Sequence, residues 1–154
     1  MINRQWFFFC IFAYYLNAME TIRTTYSGDL RTKAIHVQSG EELLTDAPVD
    51  NQGQGEYFSP TDLVATALTS CMLTIMGITA RRFNFNIDGT TVKTTKIMTD
   101  SPRRIGEIIV ELDFPEVTYS EKEMALIKQA SKICPVAMSL HPDIKQTIIF
   151  HFHE

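Results

Sequence analysis

Two cysteines carry the clearest chemical potential in this chain, because a thiolate is a nucleophile that can be oxidised and reduced again. Cys71 closes the stretch Ser59-Pro60-Thr61-Asp62-Leu63-Val64-Ala65-Thr66-Ala67-Leu68-Thr69-Ser70-Cys71, and Cys134 lies in Ser131-Lys132-Ile133-Cys134-Pro135-Val136. They are too far apart for a local Cys-x-x-Cys redox motif, so any partnership requires the fold to bring one helix against another. The third cysteine, Cys10, falls in an apolar N-terminal stretch. Buried free cysteine is also a common small core residue, and spacing alone favours that plainer reading.

Other candidates have plainer explanations. Met72, Met76, Met124 and Met138 could wall an apolar substrate pocket, but methionines at helical spacing are usually core packing. His151 and His153 share one face of the last strand and could touch a metal at two points, with no third ligand near them in sequence, so no metal is expected. His36 and His141 suggest no role.

The chain has 154 residues, enough for one domain with a core that needs neither disulfides nor metals. A net charge of −4, with lysine and arginine scattered, provides no basic footprint for a phosphate backbone, so nucleic acid is not an expected partner. Three widely spaced cysteines do not form a secreted disulfide framework, which points to a reducing, cytoplasmic setting.

Arg4 precedes an apolar run from Trp6 to Leu16 that is shorter than the roughly 20 residues needed to cross a bilayer, so no membrane partner is expected. The run resembles the apolar core of a signal peptide, with Leu16-Asn17-Ala18 a weak cleavage site, but Met19-Glu20 then opens a polar, strand-like sequence. Residues 1–18 therefore read as an N-terminal extension, with a targeting segment or packed helix as the alternative, and residues 19–154 as a single domain.

Thr21 to Ser27, Arg31 to Gln38 and Glu41 to Leu44 read as an antiparallel meander turning at Ser27-Gly28-Asp29 and Ser39-Gly40. Asp46 to Phe58, with Pro48, Asn51, Gly53 and Gly55, reads as a loop. A helix then starts with Ser59 as N-cap, Pro60 at N1 and Asp62 at N3, and runs to about Arg82 with Val64, Ala67, Leu68, Cys71, Ile75 and Ile78 as its apolar stripe. Phe83 to Ile87, Thr90 to Met98 and Arg104 to Phe114 read as a second antiparallel sheet, in which Ile108, Val110, Leu112 and Phe114 alternate. Ser120 and Glu123 form a capping box for a second helix, whose Met124, Ile127, Ala130 and Cys134 fall near one face. Pro135 either ends that helix at Cys134 or makes Cys134 the N-cap of a short helix, and Gln146 to Phe152 is a final strand.

The order of these features resembles the OsmC/Ohr family of osmotically inducible and organic hydroperoxide resistance proteins, over Met19 to Glu154. The carrying motifs are Pro60 opening a long helix eleven residues before Cys71, and Cys134-Pro135 late in the chain. The resemblance implies an α+β, OsmC-like fold, with antiparallel sheets around two long central helices and two intertwined chains with thiols near the dimer interface. It also implies that Cys71 is the peroxidatic and Cys134 the resolving cysteine, and that Arg31 is the catalytic arginine of the first hairpin, with Arg23 the runner-up. No cofactor is implied. The partners implied are a second copy of the chain, an organic hydroperoxide and an external dithiol such as a lipoyl-bearing protein.

One position departs from the pattern. Hydroperoxidases of this family carry a glutamate directly after the helix-opening proline, where this chain has Thr61. Asp62 is one residue too late and, at about 100° per residue, lies opposite Cys71 on the helix. The departure resembles the OsmC-like branch and sets two readings side by side. One is a thiol-dependent peroxidase of organic hydroperoxides acting in oxidative stress; the other is a non-catalytic OsmC-like stress protein that binds a small apolar ligand. A thiol on an apolar stripe needs a nearby cation to ionise near neutral pH, whereas Cys134 at a helix N-terminus has backbone N–H groups that favour its thiolate.

Overall fold

The computed structural model describes residues 20–153, so Cys10 and the apolar N-terminal run lie outside the described residues. These fall into two compact units, one up to Ser59 and one from Pro60 onward.

The first unit is the expected meander: β1 (Ile22–Gly28), β2 (Arg31–His36) and β3 (Glu42–Asp46), in the antiparallel order β1-β2-β3. The β1–β2 connection has positive φ at both Asp29 (49°) and Leu30 (61°), which is the backbone of a type I′ turn and matches the twist of paired strands. That turn places Arg31 at the head of β2, and the register places Asp46 opposite it. Thr32 and Thr45, the next pair along, hydrogen-bond through their hydroxyls at 2.5 Å. The loop after β3 folds back on its own start. Gly53 and Gly55 donate their N–H groups to the carbonyls of Pro48 and Ala47, and a Cβ on Gly53 would stand 1.6 Å from the Ala47 oxygen, so this position accepts only glycine. Among the described residues up to Ser59, the buried ones are Thr45, Asp46 and Ser59, while Ile22, Tyr26, Leu43 and Leu44 are exposed.

The second unit opens with α1 (Pro60–Phe83), a 24-residue helix with Arg81 and Arg82 in its last turn, where they complement the helix dipole. Its buried face is Ala65, Leu68, Met72, Met76 and Ala80. The anticipated stripe through Val64, Ala67, Cys71 and Ile78 is therefore corrected by about one residue: Leu68 is common to both, Ile78 is 56% exposed, and Cys71 is half-buried at the margin. The helix is apolar on most sides, so periodicity by itself cannot say which side the sheet covers.

No strand forms at Phe83 to Ile87. Asn84 adopts φ 59°, its N–H bonds to the Arg81 carbonyl at 3.4 Å, and the Phe85 N–H bonds to Ala80 at 3.0 Å. These two bonds form a Schellman ending, for which asparagine is an accepted left-handed residue.

β4 (Thr91–Asp100) and β5 (Arg103–Asp113) then pair antiparallel, and β6 (Lys145–His151) joins β5 in parallel, giving the order β4-β5-β6. Ile108, Val110, Leu112 and Phe114 are all buried, as their alternation predicts. They form a core with Leu68, Met72 and Met76 of α1 and Ile127 of the second helix, α2 (Glu121–Lys132). Phe114 stacks on Phe152 at 4.6 Å and meets the Tyr119 ring edge-on at 5.8 Å. The predicted capping box starts α2: Ser120 Oγ accepts the Glu123 N–H at 3.3 Å, while Glu123 Oε2 accepts the Ser120 N–H at 2.8 Å. The chain next forms the five-residue α3 (Pro135–Ser139), with Cys134 as its N-cap.

Candidate functional site

Cys71 and Cys134 meet in the second unit. Cys134 is fully buried and Cys71 half-buried, both are free thiols, and Cys71 is among the groups that act on the Cys134 thiol. Proline is responsible for the setting of Cys134. It excludes helical geometry from the preceding residue, and Cys134 has the extended φ −62°, ψ 125° of an N-cap. Its sulfur accepts the Ala137 N–H at 3.4 Å, and its thiol lies 4.0 Å from the Leu68 carbonyl of α1. The cysteine is thus held between α3 and the turn of α1 that precedes Cys71.

Burial pushes the Cys134 thiol above the ordinary cysteine range, and the neighbouring Cys71 adds to the rise. The N–H groups of Ala137 and Val136 pull the other way. The expected thiolate-favouring effect of the helix start is therefore present but outweighed by desolvation. Cys134 is a protonated thiol near neutral pH, whereas Cys71 is the one solvent can reach.

In the first unit, Arg31 has well-defined partners. Its Nη2 donates to Gln54 Oε1 at 3.1 Å and to Glu56, lies 3.5 Å from Asp46 Oδ2, and its guanidinium sits 5.5 Å from the Tyr57 ring centre. Its side chain is 29% exposed, against 68% for Arg23, which makes a surface pair with Glu20 at 2.6 Å. Arg31 is therefore a constrained cation, and Arg23 a solvated one.

Position 61 is also engaged. Lys96 of β4 donates from Nζ to Thr61 Oγ1 at 2.7 Å and pairs with Asp62 at 2.8 Å. Asp46, Glu56 and Lys96 carry no motif of their own in the sequence. The register of the meander was the signal for the first, since Asp46 falls opposite Arg31.

His151 and His153 do share a face, where they line a small hollow with Lys93, Glu111 and Asp113, and His153 hydrogen-bonds Asp113 at 2.6 Å. Among the described residues no three His, Cys, Asp or Glu side chains are grouped to hold a metal ion. Met72 and Met76 are core residues, Met124 packs against the core, and Met138 is 75% exposed, so the four do not form one wall.

The chain is a mixed α+β protein with a three-stranded meander, a long apolar helix and a second three-stranded sheet. The sequence model of the OsmC-like protein family matches residues 53–148, more than half of the chain, and the chain belongs to that family. A solved structure from Psychrobacter arcticus 273-4, named for osmotic stress induction and a detoxification response, shares 52% identity at TM-score 0.84, covering 89% of this chain and 99% of its own. An organic hydroperoxide resistance protein OsmC from Legionella pneumophila shares the fold at TM-score 0.69 and 13% identity, over 88% of this chain and 99% of its own. One from Elizabethkingia anophelis does so at TM-score 0.68 and 18% identity, over 88% and 99%. No curated protein matches the chain. The fold is therefore the OsmC-like α+β fold, within a family that includes stress-related hydroperoxide resistance proteins. Pro60–Phe83 is long and apolar enough to span a membrane by length and composition, yet it forms the core helix of this unit, with its buried face on the sheet and α2.

Proposed function

We propose that this protein is a thiol-dependent peroxidase that reduces organic hydroperoxides in defence against oxidative stress. The observation that carries the reading is two free thiols on separate helical elements of one unit, a half-buried Cys71 and a fully buried Cys134 whose thiol responds to it. Cys71 as thiolate attacks the terminal oxygen of the hydroperoxide, the O–O bond breaks, that OH stays on sulfur as the sulfenic acid, and the alkoxide takes a proton from solvent and leaves as the alcohol. Cys134 then gives up its proton as its sulfur attacks the sulfur of the resulting sulfenic acid, the S–O bond breaks, and the hydroxyl leaves with that proton as water, forming the disulfide. An external dithiol, such as a lipoyl-bearing protein, is oxidised to its own disulfide as it restores both thiols. Arg31 supplies the cation that favours the Cys71 thiolate.

The working unit in this reading is a cytoplasmic homodimer, with residues 19–154 acting as one domain. Support comes from the meander: a sheet whose exposed residues include Ile22, Tyr26, Leu43 and Leu44 needs a partner to bury them.

A second reading, a non-catalytic OsmC-like stress protein that binds a small apolar ligand, is favoured by one observation. Position 61 carries a hydroxyl engaged by Lys96, not a carboxylate. Incubation with cumene hydroperoxide and a dithiol separates the two. Turnover that is lost in Cys71→Ser supports the peroxidase, and consumption no faster than that of the Cys71→Ser/Cys134→Ser variant supports the binding protein.

A further inference from the structure

Asp46 is fully buried at the end of β3, an unusual place for a carboxylate. Its Oδ2 accepts the Glu56 N–H at 3.1 Å and lies 3.5 Å from Arg31 Nη2, and the register sets the two residues directly opposite one another. Its other oxygen, Oδ1, is buried without a hydrogen-bond partner, and so is Nε of Arg31. The two orphaned atoms belong to the two members of one ion pair. A small approach of the guanidinium would turn the single 3.5 Å contact into a two-point fork and satisfy both atoms together.

We infer that Asp46 is the positioning carboxylate of Arg31, the group that holds the guanidinium in one orientation at the head of β2, while Glu56 is an exchangeable second partner. The inference deepens the peroxidase reading and rests on it for the role of Arg31. Burial separates the two carboxylates. Asp46 projects from a strand and is held by a backbone N–H, whereas the Glu56 side chain is 55% exposed and belongs to the loop. A buried carboxylate depends on its cation in a way that an exposed one does not. The Asp46 carboxyl is held below its usual range, first by the Glu56 N–H, which outweighs burial, and then by Arg31. It is therefore an anion near neutral pH.

The test uses the full chain as wild type, Arg31→Ala, Asp46→Asn, Glu56→Gln and the double variant Arg31→Ala/Asp46→Asn. Two quantities are read: cumene hydroperoxide consumption, and the alkylation rate of Cys71 against pH, followed by peptide mass mapping. Asp46→Asn should slow both by about 10- to 100-fold and displace the alkylation profile to higher pH, as Arg31→Ala does. Glu56→Gln should stay within about threefold of wild type. The double variant should be no slower than Arg31→Ala, because a residue that acts only through Arg31 has nothing left to act on.

A full Asp46→Asn effect in the Arg31→Ala background overturns the inference, and so does a wild-type profile for Asp46→Asn when Arg31→Ala is impaired. Wild-type kinetics for Arg31→Ala overturn the role of Arg31 itself and the inference with it. If no variant consumes hydroperoxide, the peroxidase reading fails, and the alkylation profiles still decide whether Asp46 governs Arg31. Asp46→Asn keeps the shape and an acceptor for the Glu56 N–H. If circular dichroism nevertheless shows it unfolded, Asp46→Glu replaces it, with a displaced profile supporting the inference and an unmoved one overturning it.

Discussion

Lys96 donates to Thr61 at 2.7 Å and pairs with the neighbouring Asp62 at 2.8 Å, so a strand lysine binds the first turn of α1 at the position where hydroperoxidases of the family carry a glutamate. The Lys96 side chain is only 16% exposed, and any carboxylate introduced at position 61 would meet this ammonium. Thr61→Glu alone should therefore leave hydroperoxide turnover unchanged while raising stability by about 0.5–1 kcal/mol, read from urea unfolding. A marked rise in turnover would mean that the new carboxylate escapes Lys96.

The two thiols should differ in reactivity. Cys134, raised by burial and by Cys71, is more stable protonated in the fold than in the unfolded chain. Its contribution to stability is whole below the ordinary cysteine range and lost as pH rises through the folded value. Stability should accordingly fall on the alkaline side, and less so in Cys134→Ser. At pH 8 Cys134 should be alkylated far more slowly than Cys71, a ratio that peptide mapping measures.

In the proposed reaction, Cys71→Ser should abolish consumption of cumene hydroperoxide. Cys134→Ser should reduce one equivalent and then stop as sulfenic acid, trapped with dimedone and read by mass. Multiple turnovers from Cys134→Ser would exclude it as the resolving thiol.

The loop after β3 has no space at Gly53. Gly53→Ala places a methyl carbon inside the Ala47 carbonyl, so the segment that carries Gln54 and Glu56 must open. We expect a loss of about 2–4 kcal/mol in urea unfolding and weaker protection of the Glu56 amide in hydrogen exchange. Near-native values would show that the loop can re-form around the added carbon.

Glu123 is held below the ordinary glutamate range, chiefly by its hydrogen bonds with the Ser120 side chain and backbone. A lowered carboxylate contributes stability above its unfolded value that is lost as pH falls through the folded one. Ser120→Ala should lower Tm by about 2–4 °C at neutral pH, and the deficit should narrow toward pH 3.

Homodimerisation should be visible by sedimentation at micromolar concentration, with more than about 2,000 Å² buried in total. The paired change Tyr26→Asp and Leu43→Asp should shift the equilibrium toward monomer, since both side chains are exposed on the meander in the single chain. A stable wild-type monomer would end the dimer proposal.

Elements whose signals are local were legible along the chain. Ser120 with Glu123 wrote a capping box that the structure contains, Pro60 opened the long helix, and the alternation from Ile108 to Phe114 marked the buried face of β5. The proline after Cys134 even dictated its N-cap geometry. Whatever depends on partners distant in the chain was settled by packing. A helix apolar on most sides does not reveal which side is covered, so Met72 rather than Cys71 faces the core. A single strand does not reveal its neighbour's direction, so the parallel pairing of β6 with β5 was not legible. The partners of Arg31 and Thr61 come from across a sheet and from a strand 35 positions away. Burial, finally, overruled the helix start at Cys134, because desolvation is a property of the whole packed surroundings and no local motif contains it.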